Sequence, residues 1–263
     1  KKYMQNKNII EKLRDDNHYY GDFGKQYISN SDIKTMRFDP EQFHAPNKTT
    51  VPMEQGKYFH QLMLEPTKAK DFPISDVTRR DSKHKAFLEE KGLDEALKTS
   101  EAKEIEDLVA WFKDENNPKT KHYLEDIYSL NSSFEEPMVG NIMGYDFKAK
   151  ADIVNVKKGY IIDLKTSKDV PRFLSTAKTW GYHTQAFIYQ SLFGMPLTFI
   201  AIGKTPKRRA DGTTYYDVGE FTPKQSTLQE AKLDIEYAIR NYEDWLSHTA
   251  DNKIEEFVFK GQF

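Results

Sequence analysis

Between Lys150 and Ser167 the sequence reads KADIVNVKKGYIIDLKTS, and a turn at Lys157 to Gly159 folds this stretch into an expected hairpin. Asp152 on the first strand then lies roughly opposite Asp163 to Lys165 on the second, so two carboxylates and an ammonium converge. Side chains two apart on a strand share a face, which points Asp163 and Lys165 together, while Ile161, Ile162 and Leu164 supply apolar neighbours. Charges set into apolar sequence carry a desolvation cost unless a partner, a metal or a substrate offsets it. A cross-strand salt bridge is the simplest such arrangement. Paired carboxylates also suit a hard cation such as Mg²⁺, which keeps several waters and binds one or two carboxylates plus a substrate phosphate. Such an ion lowers the pKa of a bound water and neutralises charge on a phosphate under attack. Lys165 would then orient that water or stabilise the transition state.

The elements that must position these groups follow from periodicity. From Ser132 the pattern turns toward a period of two in SSFEEPMV, GYDFKAKADIVNV and GYIIDLKTS, punctuated by Gly140, Gly144 and the Lys157 to Gly159 turn, and predicts an antiparallel meander. A helix from about Arg172 to Phe193, ended by Gly194 and Pro196, leads to a strand from Leu197 to Gly203, so a mixed sheet is expected. The Asp211-Gly212 turn precedes a strand over Tyr215 to Phe221. A packing helix from Pro223 to about His248 keeps Leu228, Ala231, Ile235, Ala238 and Tyr242 on one face. Upstream, Ser29 or Ser31 caps a short helix that ends before Pro40, and a helix from about Met53 to Leu64, stopped by Pro66, carries His60. Ser82 to Asn116 reads as charged and helical, with Ile105, Leu108, Val109 and Phe112 as its apolar stripe. The fold class is α/β, a central mixed β-sheet flanked by helices. We expect one domain over residues 1–263, with its core at about 50–222, an N-terminal helical segment and the C-terminal packing helix.

The chain has 263 residues, 38% hydrophobic and 30% charged, which is enough to bury a core, and no repeat or low-complexity tract divides it. Cysteine is absent, which removes disulfides, thiolate zinc sites, cysteine-ligated iron-sulfur clusters and cysteine nucleophiles, so any metal sits on oxygen and imidazole. No apolar run of about 18 residues is present, no membrane association is expected, and the first residues lack the apolar core of a secretory signal. Net charge is -2, so a polyanionic partner would have to use local basic patches. Lys204, Lys207, Arg208 and Arg209 form one cluster, and Arg79, Arg80, Lys83 and Lys85 another; ordinary solvated surface is the alternative reading of each.

Asp152 followed by Asp163-Leu164-Lys165 resembles the PD-(D/E)XK nuclease superfamily, in which an Asp on one strand precedes D/E-x-K on the next. Gln185 to Tyr189 fits the Q-x-x-x-Y helix of its RecB-like branch, and His60 matches that branch's helical metal-binding histidine. GKYFHQLMLEP, SSFEEP, KADI, IIDLKTS and GYHTQAFIYQSLFG resemble successive blocks of phage-type exonuclease VIII, the RecE-like nuclease domain. Ala151 stands where the superfamily name has proline, a departure common in RecB-like members.

The resemblance implies a restriction-endonuclease-like fold and a Mg²⁺-dependent deoxyribonuclease, with Mn²⁺ as a substitute. It implies degradation of double-stranded DNA ends from 5′ to 3′, leaving 3′ single strands for a single-strand annealing protein in recombination. A ring-shaped homo-oligomer and a cytoplasmic setting, in a bacterial or phage-infected cell, are also implied. Asp152, Asp163, His60 and the Leu164 carbonyl would be metal ligands and Lys165 the catalytic lysine, while Gln185 and Tyr189 would brace the site or contact DNA. Glu65 and Glu136 are further acidic candidates; alternation along SSFEEPMV leaves open whether Glu135 or Glu136 faces the site. Arg79, Arg80, Arg172, Tyr182, Lys207, Arg208 and Arg209 are candidate DNA contacts. A related endonuclease or nickase, and a DNA-binding protein of the same fold that does not cleave, are the alternatives.

Overall fold

The computed structural model describes residues 2–46 and 48–260. At the N-terminal end α1 (Lys2–Lys12) and α2 (Asp16–Tyr20) precede α3 (Asn30–Phe38). Ser29 caps α3: its backbone N–H and its hydroxyl both donate to the Asp32 carboxylate at 2.7 Å. Helix α4 (Val51–Leu64) starts with Pro52 in its first turn and ends at Glu65; Pro66 both stops it and opens the short α5 (Pro66–Ala69).

The charged stretch after Ser82 is two helices rather than one. Gly92, in the left-handed region at φ 64°, ends α6 (Ser82–Lys91), and α7 (Thr99–Lys113) begins afresh after two-residue strands β1 (Ile74–Ser75) and β2 (Leu97–Lys98) pair in parallel. The expected stripe Ile105, Leu108, Val109 and Phe112 is buried, and α8 (Lys121–Ile127) follows.

The meander is present as β3 (Ser132–Ile142), β4 (Tyr145–Asn155) and β5 (Tyr160–Ser167), antiparallel in sequence order. Gly159 at φ 70° makes the β4–β5 turn that the sequence indicates. The expected helix from Arg172 is interrupted: α9 (Phe173–Thr176) closes after one turn, and Gly181, at φ 72°, redirects the chain into α10 (Tyr182–Phe193). Strand β6 (Leu197–Gly203) then runs parallel to β5, which makes the sheet mixed.

The strand expected over Tyr215 to Phe221 divides. Its first part, β8 (Thr214–Tyr215), pairs with β7 (Lys207–Arg208) in a separate hairpin, while β9 (Val218–Phe221) joins β6. The main sheet has the order β3-β4-β5-β6-β9, and α11 (Gln225–Ala250) follows it with Ala231, Ile235 and Ala238 buried.

Helices cover both faces of the sheet. Ile162 and Leu164 of β5 pack with Tyr58 and Phe59 of α4 and Leu108 and Phe112 of α7. Ile161 faces the other way, toward Ala186 and Phe193 of α10, and Ile188 of α10 meets Ile33 of α3 and Ile235 of α11. Alternation along β5 therefore sends Asp163 and Lys165 to the α10 side, while α4 approaches from the opposite layer.

Candidate active site

The β4–β5 ladder is in register from Asn155↔Tyr160 to Ile153↔Ile162 and stops there. At the next pair the strands part, and the backbone of Leu164 is satisfied by side chains. Its N–H donates to Asp152 Oδ2 at 2.7 Å, and its carbonyl lies 2.9 Å from His60 Nε2. His60 Nε2 is also 2.9 Å from Asp152 Oδ2, and its Nδ1 is 2.7 Å from the Gly56 carbonyl one turn back on α4. Gly56 has no side chain, and a Cβ there would stand 4.0 Å from Thr166 Oγ1 on β5, so α4 lies close to the strand.

With Nδ1–H donating to Gly56, three acceptors converge: the Nε2 lone pair, Asp152 Oδ2 and the Leu164 carbonyl. Such a set requires a cation at its centre, either a second proton on the imidazole or a metal ion. The electrostatics agree with the first in a metal-free protein. Burial alone would lower His60, but Asp152 outweighs it and raises the imidazole to about 9. Burial pushes the Asp152 carboxyl up, and His60, Lys165 and the Leu164 N–H together bring it below its ordinary value.

Asp163, 1% exposed, faces the other layer. Gln185 of α10 donates its amide N–H to Oδ2, and the Lys165 ammonium pairs with Oδ1, which has no hydrogen bond of good geometry. Burial raises Asp163 to about 6 despite Lys165. For Lys165, burial is outweighed by Asp163 and Asp152, so it stays protonated. Its Nζ stands 5.2 Å from the centroid of the Tyr182 ring, which stacks on Phe173 with centroids 5.2 Å apart. Tyr189 donates its hydroxyl to the Lys150 carbonyl at 3.0 Å and so braces β4 two residues before Asp152.

Asp163 is engaged by Lys165 and Gln185, and among the described residues no three His, Asp or Glu side chains surround one point. The oxygen and nitrogen donors beside His60 comprise one imidazole, one carboxylate and one backbone carbonyl, a set that fits a hard or borderline divalent cation.

The other acidic candidates separate. Glu136 is taken by Arg14, whose guanidinium meets both its oxygens at 2.6 and 3.0 Å. Glu135 is the residue beside the site: half-buried, and raised to about 8 by desolvation and then by the Asp152 charge. Strict alternation gives no way to choose between them, because Glu135 takes φ 48°, a left-handed conformation inside a strand. Glu65 lies at the C-terminal end of α4, 3.5 Å from Lys68, with its charge felt at Glu135.

Of the candidate DNA contacts, Arg79 is committed within the protein. All three of its guanidinium nitrogens donate, to Glu95, Glu101 and the Ala96 carbonyl. Lys207 pairs with Asp217 at 2.5 Å, and Lys204 donates to Gln55 at 2.7 Å. Arg80, Arg172 and Arg208 are exposed, and Arg209 lies over Tyr215 at 4.6 Å.

Residues 26–251 match the sequence profile of a PDDEXK-like domain of unknown function (DUF3799). The chain belongs to that family. The family's description places the protein in the PDDEXK-like class of nucleases. Among solved structures, this PDDEXK-like chain is similar in fold to a Eubacterium rectale protein assigned as an exonuclease, at TM-score 0.58 and 16% identity over 94% of each chain. A phage-related exonuclease from Haemophilus somnus 129PT is more distant, at TM-score 0.37 and 13% identity over 85% of this chain and 96% of that one. An alkaline exonuclease from Laribacter hongkongensis matches at TM-score 0.35 and 11% identity over 86% and 94%. No curated protein matches the sequence. No helix among the described residues is long and apolar enough to cross a membrane.

Proposed function

We propose that this PDDEXK-like protein is a Mg²⁺-dependent exonuclease that degrades double-stranded DNA from its ends. The observation that carries the proposal is the convergence of His60 Nε2, Asp152 Oδ2 and the Leu164 carbonyl beside the Asp163–Lys165 pair. His60, Asp152 and the Leu164 carbonyl would hold the ion, and Asp163 would join them on exchanging its Lys165 partner for the metal, with Mn²⁺ as a substitute. When bound, a divalent ion lowers the pKa of water and offsets charge on the phosphate.

The protein's own groups do the rest. Lys165, kept protonated by Asp163 and Asp152, supplies a cationic donor for the charge that builds on the phosphate oxygens. Gln185 fixes the Asp163 carboxylate, and Tyr189 fixes the strand that carries Asp152. Base identity would be little read, because phosphate contacts position a nucleic acid without carrying sequence information. Cleavage from 5′ to 3′, a 3′ strand passed to an annealing protein, a ring-shaped homo-oligomer and a role in recombination are supported by the RecE-like blocks of the sequence. Arg80, Arg172, Arg208 and Arg209 are the exposed cations we assign to the DNA backbone.

Linear duplex labelled at its 5′ or 3′ end, incubated with Mg²⁺ or EDTA beside an Asp163→Ala control and a closed circular duplex, tests this. Metal- and end-dependent loss of label that disappears in the control is expected, and the order of release gives polarity. Cutting of the closed circle would instead make the protein an endonuclease.

A further inference from the structure

The connection between β5 and α10, residues 168–181, has a tied-down backbone and, beside the buried Val170 and Phe173, two exposed large apolar side chains. Trp180 N–H donates to the Thr176 carbonyl at 3.1 Å, Gly181 N–H to Lys178 at 3.0 Å and Tyr182 N–H to Ala177 at 2.9 Å. Asn30 of α3 fastens the same turn: its amide donates to the Gly181 carbonyl at 3.2 Å, and its carbonyl oxygen accepts from the Thr184 hydroxyl at 2.7 Å. Out of this turn project Trp180, 61% exposed, and Leu174, 66% exposed. The other two of the three tryptophans are partly buried, Trp111 against Tyr216 and Trp245 against Tyr242.

An indole left in water at this place has a specific neighbourhood. Two residues on, the Tyr182 ring lies under the Lys165 ammonium, and at 3.8 Å per Cα step Trp180 is rooted within roughly 8 Å of the Tyr182 Cα. The exposed Lys34 ammonium stands 5.8 Å from the Trp180 ring centroid. A flat, exposed aromatic ring rooted on a fixed turn, with a cation 5.8 Å from its centroid, matches one repeating unit of a nucleic-acid strand, a base to stack and a phosphate to neutralise. Because the turn is already fixed, little ordering entropy is lost on binding.

We propose that Trp180, with Lys34 beside it, is a stacking platform for an unpaired nucleobase of the strand being cut. This rests on the nuclease reading above. It implies that the duplex end is opened by at least one base at the site, and that affinity for a single-stranded or frayed end exceeds affinity for a sealed duplex.

The test is tryptophan fluorescence of the intact protein in EDTA, titrated with a single-stranded oligonucleotide and with a duplex closed by hairpins at both ends. Trp180→Phe and Trp180→Ala accompany the wild type, with circular dichroism confirming their fold. The single strand should quench and blue-shift the wild-type emission more than the sealed duplex does. Trp180→Phe should lose the signal while keeping most of the affinity. Trp180→Ala should bind the single strand roughly 5- to 100-fold more weakly.

Equal affinity of wild type and Trp180→Ala, unchanged wild-type emission on binding, or no binding of the wild type would overturn the platform. So would emission that shifts with protein concentration rather than with DNA, which would place the indole in a protein interface. Cleavage is measured separately with Mg²⁺. Wild type that quenches but never degrades DNA would remove the nuclease reading and keep the platform; degradation without quenching would do the reverse.

Discussion

In the metal-free protein, a proton is the cation between His60, Asp152 and the Leu164 carbonyl, and that proton ties stability to pH. Asp152 raises His60 against the opposing effect of burial, from 6.5 to about 9. A group whose folded pKa lies above its unfolded value adds stability that is fully present below the unfolded pKa. That stability is lost as pH rises through the folded pKa. The window here runs from about 6.5 to about 9. A rise of this size corresponds to on the order of 3 kcal/mol, or roughly 5 to 10 °C in Tm for a chain of this length. With the imidazole 24% exposed and the Asp152 carboxylate 12%, solvent screens little of it. The lowered Asp152 belongs to the same pair and is counted once.

The assay is urea unfolding in EDTA at several pH values across the window, for wild type and His60→Gln. The stability difference between the two should shrink as pH rises, because the substituted protein has no imidazolium to lose. Saturating Mg²⁺ should replace the proton and flatten the wild-type profile. Parallel pH profiles in EDTA would refute the placement of His60 against Asp152.

Four further outcomes are expected. Gln185→Leu removes the donor to the buried Asp163 oxygen and should lower metal affinity or cleavage about 10- to 100-fold, read by metal titration of the rate. Tyr189→Phe strands the Lys150 carbonyl and should cost about 1–3 kcal/mol of stability in chemical denaturation. Glu136→Gln breaks a half-exposed pair with Arg14 and should change stability by less than about 1 kcal/mol with cleavage retained. Glu135→Gln, beside Asp152, should lower cleavage, and the reverse ranking in a rate assay would mean that the strand presents the other glutamate.

What was legible in the sequence depended on distance along the chain. Asp152, Asp163 and Lys165 stood out because a single hairpin carries all three, and charges within an apolar strand are conspicuous at that range. The mixed sheet was legible for the same reason, since period two and a following helix are local patterns. Arg79 was read as a surface cation because its partners Glu95 and Glu101 lie 16 and 22 residues away. The bracing of β4 by Tyr189 joins residues 39 apart, and only the family resemblance pointed to it. The helix expected from Arg172 stops at Thr176 and restarts only after Gly181, whose left-handed backbone sets the new direction where composition shows only a glycine. Glu135 was hidden by the assumption of a regular pleat, which its positive φ breaks.

The position of the site in the sheet has its own physical reason. Had β4 and β5 gone on pairing past Ile153 and Ile162, the Leu164 N–H and carbonyl would both be spent in the ladder. Parting the strands there frees one donor and one acceptor in a buried place, and neither can be left without a partner. Asp152 takes the donor, and the acceptor turns toward His60, so a cation is needed where the carbonyl, the carboxylate and the imidazole meet. The residue between Asp163 and Lys165 therefore serves through its backbone. Its Leu164 side chain, fully buried against α4 and α7, holds that backbone in place, so an apolar residue of similar volume should preserve the site and a polar one should not.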